Sequence, residues 1–419
     1  MRFVPLAMIA VLCAAGATAG PTVSSIFREP VKGEIVKLDD QDRLEIKIEG
    51  SEVPERIRLD EVVDIDFGVK GDERRADKAP LRIYLVNGDV LYGSTLDGPD
   101  GDDELFYVES ARLGKIAVSI EHVKRIEVVS NVKPGVLPEL EDGAEHDCAY
   151  SVIKGGSRME ADPDAELMRV VKDGLYVYND LLHSEIEEPD FIGERLLWSS
   201  LYGIVCNRSK PTAAAELFGI FTLRDGTVVR GVIKKWEGGK VAVKHTVLGI
   251  DVEFEESNLM SVTMKNGRYV YLSDLEFSDP PEERPYYLPG DFDYDEYMFK
   301  VKRDRAQGGG PLSIRGKVFA KGFGVHALST LKFDLNKEYR RLIADIGVDD
   351  SAGDLASVEF KVYGDGKLLY ESGVVRRSAN AKKIDIEVLN VNELVLEVTA
   401  ADNADIQDRA NWANIKVVR

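Results

Sequence analysis

The stretch KGFGVHALSTLKFDL places a lone histidine, His326, at the entry to a strand. An imidazole both donates and accepts hydrogen bonds, which suits sugar hydroxyls. The same ring can instead tie a loop carbonyl to a neighbouring strand and touch no ligand. Asp349 and Asp350 follow Gly347-Val348 at a strand end. Adjacent carboxylates can accept from neighbouring hydroxyls, ligate calcium through clustered oxygens, or cap the amides of their own turn. The run from Asp402 to Asp408 adds oxygens, but not at EF-hand spacing. Arg377 supplies a donor fork. Trp412 offers an indole that either stacks on a pyranose or closes a core, and the alternation around it favours the core. The expected ligand-binding set is therefore His326, Asp349, Asp350, Arg377 and Trp412, with Asp349 and Asp350 also candidate ligands of a structural calcium.

Other chemistries find no support. The histidines are His122, His146, His183, His245 and His326, and none forms the His-x-x-x-His pair of a zinc protease. There is no G-x-S-x-G elbow. Gly364-Asp365-Gly366-Lys367 reads as a hairpin turn, not a phosphate loop. Glycoside hydrolysis needs two carboxylates in a cleft. With 74 acidic residues in the chain, such pairs carry no information. No segment reads as a catalytic domain, so the expectation is a protein that is not an enzyme. A net charge of −20 disfavours nucleic acid and anionic membrane surfaces as partners. Solubility through self-repulsion is a sufficient explanation of that charge.

The elements that must position these residues are strands. Short alternating runs such as RLEIKIEG, LRIYLVNG, KVAVKHTV and NELVLEV are bounded by Gly, Asp and Asn. The best helical period, over residues 211–221, is short. The fold class expected is all-β. An internal repeat is visible. VKGEI, LYGST and VRGVI carry Gly33, Gly93 and Gly231, and endings of apolar-x-x-apolar-x-apolar type follow at Val62, Val123 and Leu259. The separations are 29, 30 and 28 residues, which chance does not produce readily. A diverged copy ends at Leu201/Ile204/Cys206. Tandem small β-barrel-like repeats are thus expected over residues 28–70, 80–132, 145–208 and 215–276, followed by a jelly-roll β-sandwich over 286–419. Pro280, Pro281, Pro285 and Pro289 mark the connector between them. The early glycine of each repeat would let a strand bend strongly.

Residues 1–19 read as a cleaved signal peptide: Arg2, an apolar run, and Ala17-Thr18-Ala19 as the cleavage site. The expected location is periplasmic or extracellular, with no membrane insertion. Cys148 and Cys206 remain after the leader is removed. They fall on the first and last strands of one repeat, which neighbour each other in a small barrel, so a disulfide is expected.

Two resemblances add to this reading. LVNGDVLYGSTL and TLRDGTVVRGVI, each with its V-x-x-I-x-V-like ending, resemble Sm-like small barrels. The RNA binding of many such proteins is not expected in an acidic, exported chain. From residue 311 onward, KGFGVHA, GVDD, Tyr363-Gly364-Asp365-Gly366-Lys367 and the closing Asp408…Trp412 stand in the order of the NPCBM family of carbohydrate-binding modules. That resemblance implies a galactose-binding-like sandwich and a glycan or polysaccharide partner. Where most of the family reads Asp-His-Ala-Asp-Trp-Ala-Asp, this chain reads Asp408-Arg409-Ala410-Asn411-Trp412-Ala413-Asn414. The expected function is non-catalytic carbohydrate binding. A cell-envelope scaffold that binds other envelope proteins, and an accessory part of a glycoside hydrolase system, are the alternatives.

Overall fold

The computed structural model describes residues 20–68, 79–100, 102–133, 137–140, 145–152, 159–178, 194–208, 217–265, 267–283, 299–402 and 407–419. The signal-peptide reading of residues 1–19 lies outside them. The recurring glycines answer to a close crossing of strands. A Cβ at Gly33 or Gly93 would lie 2.5 or 2.4 Å from the carbonyl oxygen of Lys47 or Glu109, and one at Gly231 would lie 2.7 Å from the Cβ of Val243. In each case the glycine belongs to the second strand of a repeat and the obstacle to the third. Any side chain there would force the two strands apart.

Four successive stretches share one strand order. In one of them, Leu81–Leu85, Val90–Leu96, Leu105–Ser110 and Gly114–Ser119 pair as successive antiparallel neighbours. Val123–Val128 then returns to pair with Leu81–Leu85. The stretch from Phe218–Leu223 to Leu259–Lys265 repeats this order. So do Thr22–Ser25 to Val62–Asp66 and Cys148–Val152 to Leu201–Val205, each with a broken second strand. A single 3₁₀ turn precedes every closing strand: Leu59–Glu61, Ile120–His122, Trp198–Ser200 and Glu256–Asn258. The helical reading of residues 211–221 is corrected over its described part. Phe218–Leu223 is a strand, its alternate residues buried by pairing with Leu259–Lys265.

The repeats join through their closing strands. Ile65 pairs with Val262, and Ile126 with Ile204. These are the same position in the apolar-x-x-apolar-x-apolar ending of each repeat. Equivalent residues therefore meet across an antiparallel ladder, as in an isologous interface. The second and fourth repeats also share a buried polar cluster. Asp89 is fully buried and His245 nearly so. His245 Nε2 lies 2.9 Å from Asp89 Oδ2, and Arg230 Nη1 donates to Asp89 Oδ1 at 2.7 Å. His245 Nδ1 accepts from the amides of Val247 and Leu248, both at 3.2 Å, so its proton sits on the Asp89 side. Burial would raise the Asp89 carboxyl. The hydrogen bond and charge of His245, with amide donors from Arg230 and Asn87, outweigh it and hold the carboxyl below its ordinary 3.8.

The disulfide expectation is corrected. First and last strands are neighbours, but Cys148 pairs with Val205, not Cys206. Successive residues of a strand point to opposite faces. Cys148 therefore joins the small cluster of Leu137, Tyr150 and Val205, while Cys206 enters the main core. Both are free, buried thiols, and burial pushes both up.

The second unit spans Gly267–Arg419, so it begins before residue 286, where the proline-rich segment set the boundary. Tyr269–Tyr271 pairs with the last strand, Arg409–Val418, and so belongs to this unit. Two sheets face each other. One orders Lys302–Arg303, Gly322–His326, Arg409–Val418, Arg341–Val348 and Lys382–Glu387. The other orders Glu282–Glu283, Ser329–Asp334, Glu393–Ala400, Ser357–Gly364 and Lys367–Arg376. Phe323, Trp412, Phe333 and Phe360 fill the space between. The chain is all-β, as its alternation predicts.

Two outcomes follow. In the chain lacking residues 1–19, thiol titration under denaturing, non-reducing conditions finds both cysteines reactive; a titration that finds none would restore the disulfide. Asp89→Asn, read by denaturant unfolding near neutral pH, loses about 2 kcal/mol, because Arg230 and the buried His245 lose a charged acceptor. Since the folded carboxyl titrates below 3.8, this contribution is present above that pH and fades as pH falls further.

Candidate functional site

Three neighbouring strands of the second unit end together, and their register sets the site. His326 pairs directly with Arg409, and the amide of Asp349 donates to the Arg409 carbonyl at 2.9 Å. His326, Arg409 and Asp349 thus form a row across the end of the sheet. Alternation sends Val325, Ala410 and Val348 into the core. The row points the other way. On that outer side the chain crosses Gly324 closely. A Cβ there would lie 2.4 Å from both the Arg305 carbonyl oxygen and the Gln307 nitrogen. The hairpin of Leu312–Ile314 and Lys317–Phe319 covers Gly347 in the same way, 2.6 Å from Ile314 Cγ2.

Asp349 is only 1% exposed. Its carboxylate accepts from the Ser313 amide at 3.3 Å, the Ser351 amide at 2.8 Å and Asn411 Nδ2 at 2.6 Å. Asp350 accepts from the amides of Arg315 at 2.9 Å and Gly316 at 2.8 Å, and its own amide donates to the Ser313 carbonyl. Asp349 thus accepts three N–H donors and Asp350 two, and among the described residues no group of three or more His, Cys, Asp or Glu gathers that could hold a metal ion. These acids instead fasten the hairpin to the strand end.

Arg377 donates from Nη1 to Asp354 at 2.9 Å and from Nη2 to the Asp350 carbonyl at 3.0 Å, while its buried Nε has no partner. Arg409 donates from Nε to Gln307 Oε1 at 3.3 Å and from Nη1 to the Ser351 carbonyl at 2.9 Å. The two guanidinium groups thus hold successive carbonyls of one loop. Its outermost residues are Asp354, with a 94% exposed side chain, and Leu355. His326 is buried. Its Nδ1 lies 2.5 Å from the Ala327 carbonyl and its ring meets Phe299 edge-on at 4.6 Å. The imidazole thus contacts the carbonyl of the very next residue and the ring of Phe299.

Four of the five expected residues come together at this end: His326, Asp349, Asp350 and Arg377. Trp412 does not. It is fully buried, its ring 4.9 Å from that of Phe360, which corrects its place in a ligand set. Among the described residues of this unit no aromatic ring is exposed. Gln307, Ser351, Asp354 and Arg409 belong to the site and were not in the expected set. The one sequence signal for Gln307 was the neighbouring Gly308-Gly309-Gly310, which frees a loop to fold over the sheet. Together these groups offer amide, guanidinium, hydroxyl and carboxylate partners, the set a polyhydroxylated ligand uses.

The Alpha-1,3-galactosidase B of Akkermansia muciniphila is 36% identical over 120 residues, which is 28% of this chain and 15% of that protein. The chain therefore spans well under a fifth of this relative's length. Among solved structures, CBM51 from Clostridium perfringens GH95 in complex with methyl-galactose is 24% identical, with a TM-score of 0.31 over 36% of this chain and 99% of that one. The CBM51-2 and INT domains of Clostridium perfringens ZmpB are 26% identical, with a TM-score of 0.30 over 45% of this chain and 39% of that one. Residues 268–418, nearly the whole second unit, match the carbohydrate-binding-module family described as NPCBM/NEW2 domain.

Proposed function

We propose that this protein is an exported, non-catalytic glycan binder whose second unit takes sugar at the end marked by His326, Arg409 and Asp349. One observation carries the reading. Inside the unit that matches a carbohydrate-binding-module family, hydrogen-bonding side chains from separate loops converge on one strand end. Gln307, Ser351, Asp354, Arg377 and Arg409 bind the hydroxyls. Asp349 and Asp350 position the loops, and His326 holds the strand entry. The four repeats of the first unit are Sm-like small barrels that space or multimerise the sugar-binding unit. Their acidity gives them no role on nucleic acid.

Residues 1–19 direct export, and no helix among the described residues is long and apolar enough to cross a membrane. The relative named as an α-1,3-galactosidase makes terminal galactosides the first glycans to try. It also keeps open an accessory role beside a glycoside hydrolase. A second reading, a cell-envelope scaffold that binds other proteins, draws on Arg409, Asn411 and Asn414, which stand where most of the family has a histidine and two acids.

A glycan array probed with residues 20–419 tests the proposal. Selective binding is expected, reduced about tenfold by Asp354→Ala, the loss of one good hydrogen bond, with little shift in melting temperature because that side chain is 94% exposed. A folded protein that is silent across the array would favour the scaffold.

A further inference from the structure

The carboxylates and arginines of this strand end do not all pair with one another among the described residues. Every described carboxylate here has donors of its own. Asp349 and Asp350 are filled by amides and Asn411. Asp354 pairs with Arg377, Asp402 pairs with Arg376, and Asp408 accepts from the Ser357 amide. Arg409 has none of them. Its half-buried guanidinium meets only neutral oxygens, those of Gln307 and Ser351. Among the described residues its Nη2 group makes no hydrogen bond. Arg305 and Arg315, on the crossing loop and the hairpin, are exposed and form no ion pair among the described residues. A cation taken partly out of water is ordinarily matched by an anion. Arg305, Arg315 and Arg409 are thus three arginines at this end without an ion pair among the described residues.

We infer that the glycan bound here is acidic, carrying a carboxylate or sulfate that the Arg409 fork holds. This rests on the glycan-binding reading above and names the class of sugar. Guanidinium donors match both oxyanions in two-point geometry, which a lysine ammonium does not. Arg305 and Arg315 draw the anion in through an otherwise repelling field. The neutral acceptors Gln307 and Ser351 orient the fork without neutralising it, so its charge remains available to the ligand.

The test is calorimetric titration of residues 20–419 with three probes on one galactoside backbone: the neutral sugar, its sulfate ester and its uronic-acid or sialylated form. At low salt at least one acidic probe binds about tenfold or more tighter than the neutral one, and the advantage shrinks at high salt. Whichever acidic probe wins identifies the oxyanion. Arg409→Gln removes the preference. Arg409→Lys, which keeps the charge and loses the fork, retains part of it. Melting temperatures show that both variants fold, and if Arg409→Gln does not, the Lys variant and the salt series carry the test. Equal affinity for neutral and acidic probes, or a preference that survives Arg409→Gln, would overturn the inference and leave glycan binding standing. Silence with all three probes would overturn both.

Discussion

The carboxylate of Asp349 organises the functional end of the second unit. It is a buried charge with no cation beside it, held by three N–H donors from separate parts of the chain. Burying a carboxylate is tolerable only when its lone pairs are filled. That requirement fixes the hairpin through Ser313, the loop through Ser351 and the last strand through Asn411. Each of these then places something else. Ser351 presents its carbonyl to Arg409, and Ser313 brings Arg315 and Gly316 to Asp350. The two carboxylates thus fasten the loops that carry the polar side chains of this end.

The first unit solves a different problem. Small antiparallel barrels leave strand edges that invite pairing with other chains. Here the closing strands use those edges on each other, Ile65 against Val262 and Ile126 against Ile204. Two ladders with equivalent residues at their centres join the first repeat to the fourth and the second to the third. The Asp89–His245–Arg230 cluster adds a polar latch between the second and fourth repeats. Such a latch contributes geometry more than stability, because desolvating the charges offsets much of their attraction.

Much of this was legible in the sequence, for physical reasons. Period-2 alternation gave the fold class, and the glycines at near-constant spacing gave the repeats, because a close strand crossing admits no side chain. What failed was register and non-local pairing. That the strands of Cys148 and Cys206 are neighbours follows from barrel closure. A one-residue offset, which no local signal encodes, puts their thiols on opposite faces. The prolines suggested a boundary at residue 286, but Tyr269–Tyr271 is claimed by a strand at the far end of the chain. The motifs around His326, Asp349 and Asp350 supply residues that the fold gathers at one end of the sandwich. They could not say that amides would fill the two carboxylates. Nor could they show that residues 305–307 would cross Gly324 and bring Gln307 to Arg409. Both depend on contacts between loops far apart in sequence.

Hydrogen–deuterium exchange on the full chain, with and without a bound galactoside, tests the central claim most directly. If the strand end of the second unit is the sugar site, protection on binding is confined to residues 305–316, 349–356 and the start of the strand at Arg409. Protection centred on the repeats of residues 20–265, or spread over the sandwich with none at these loops, would contradict it.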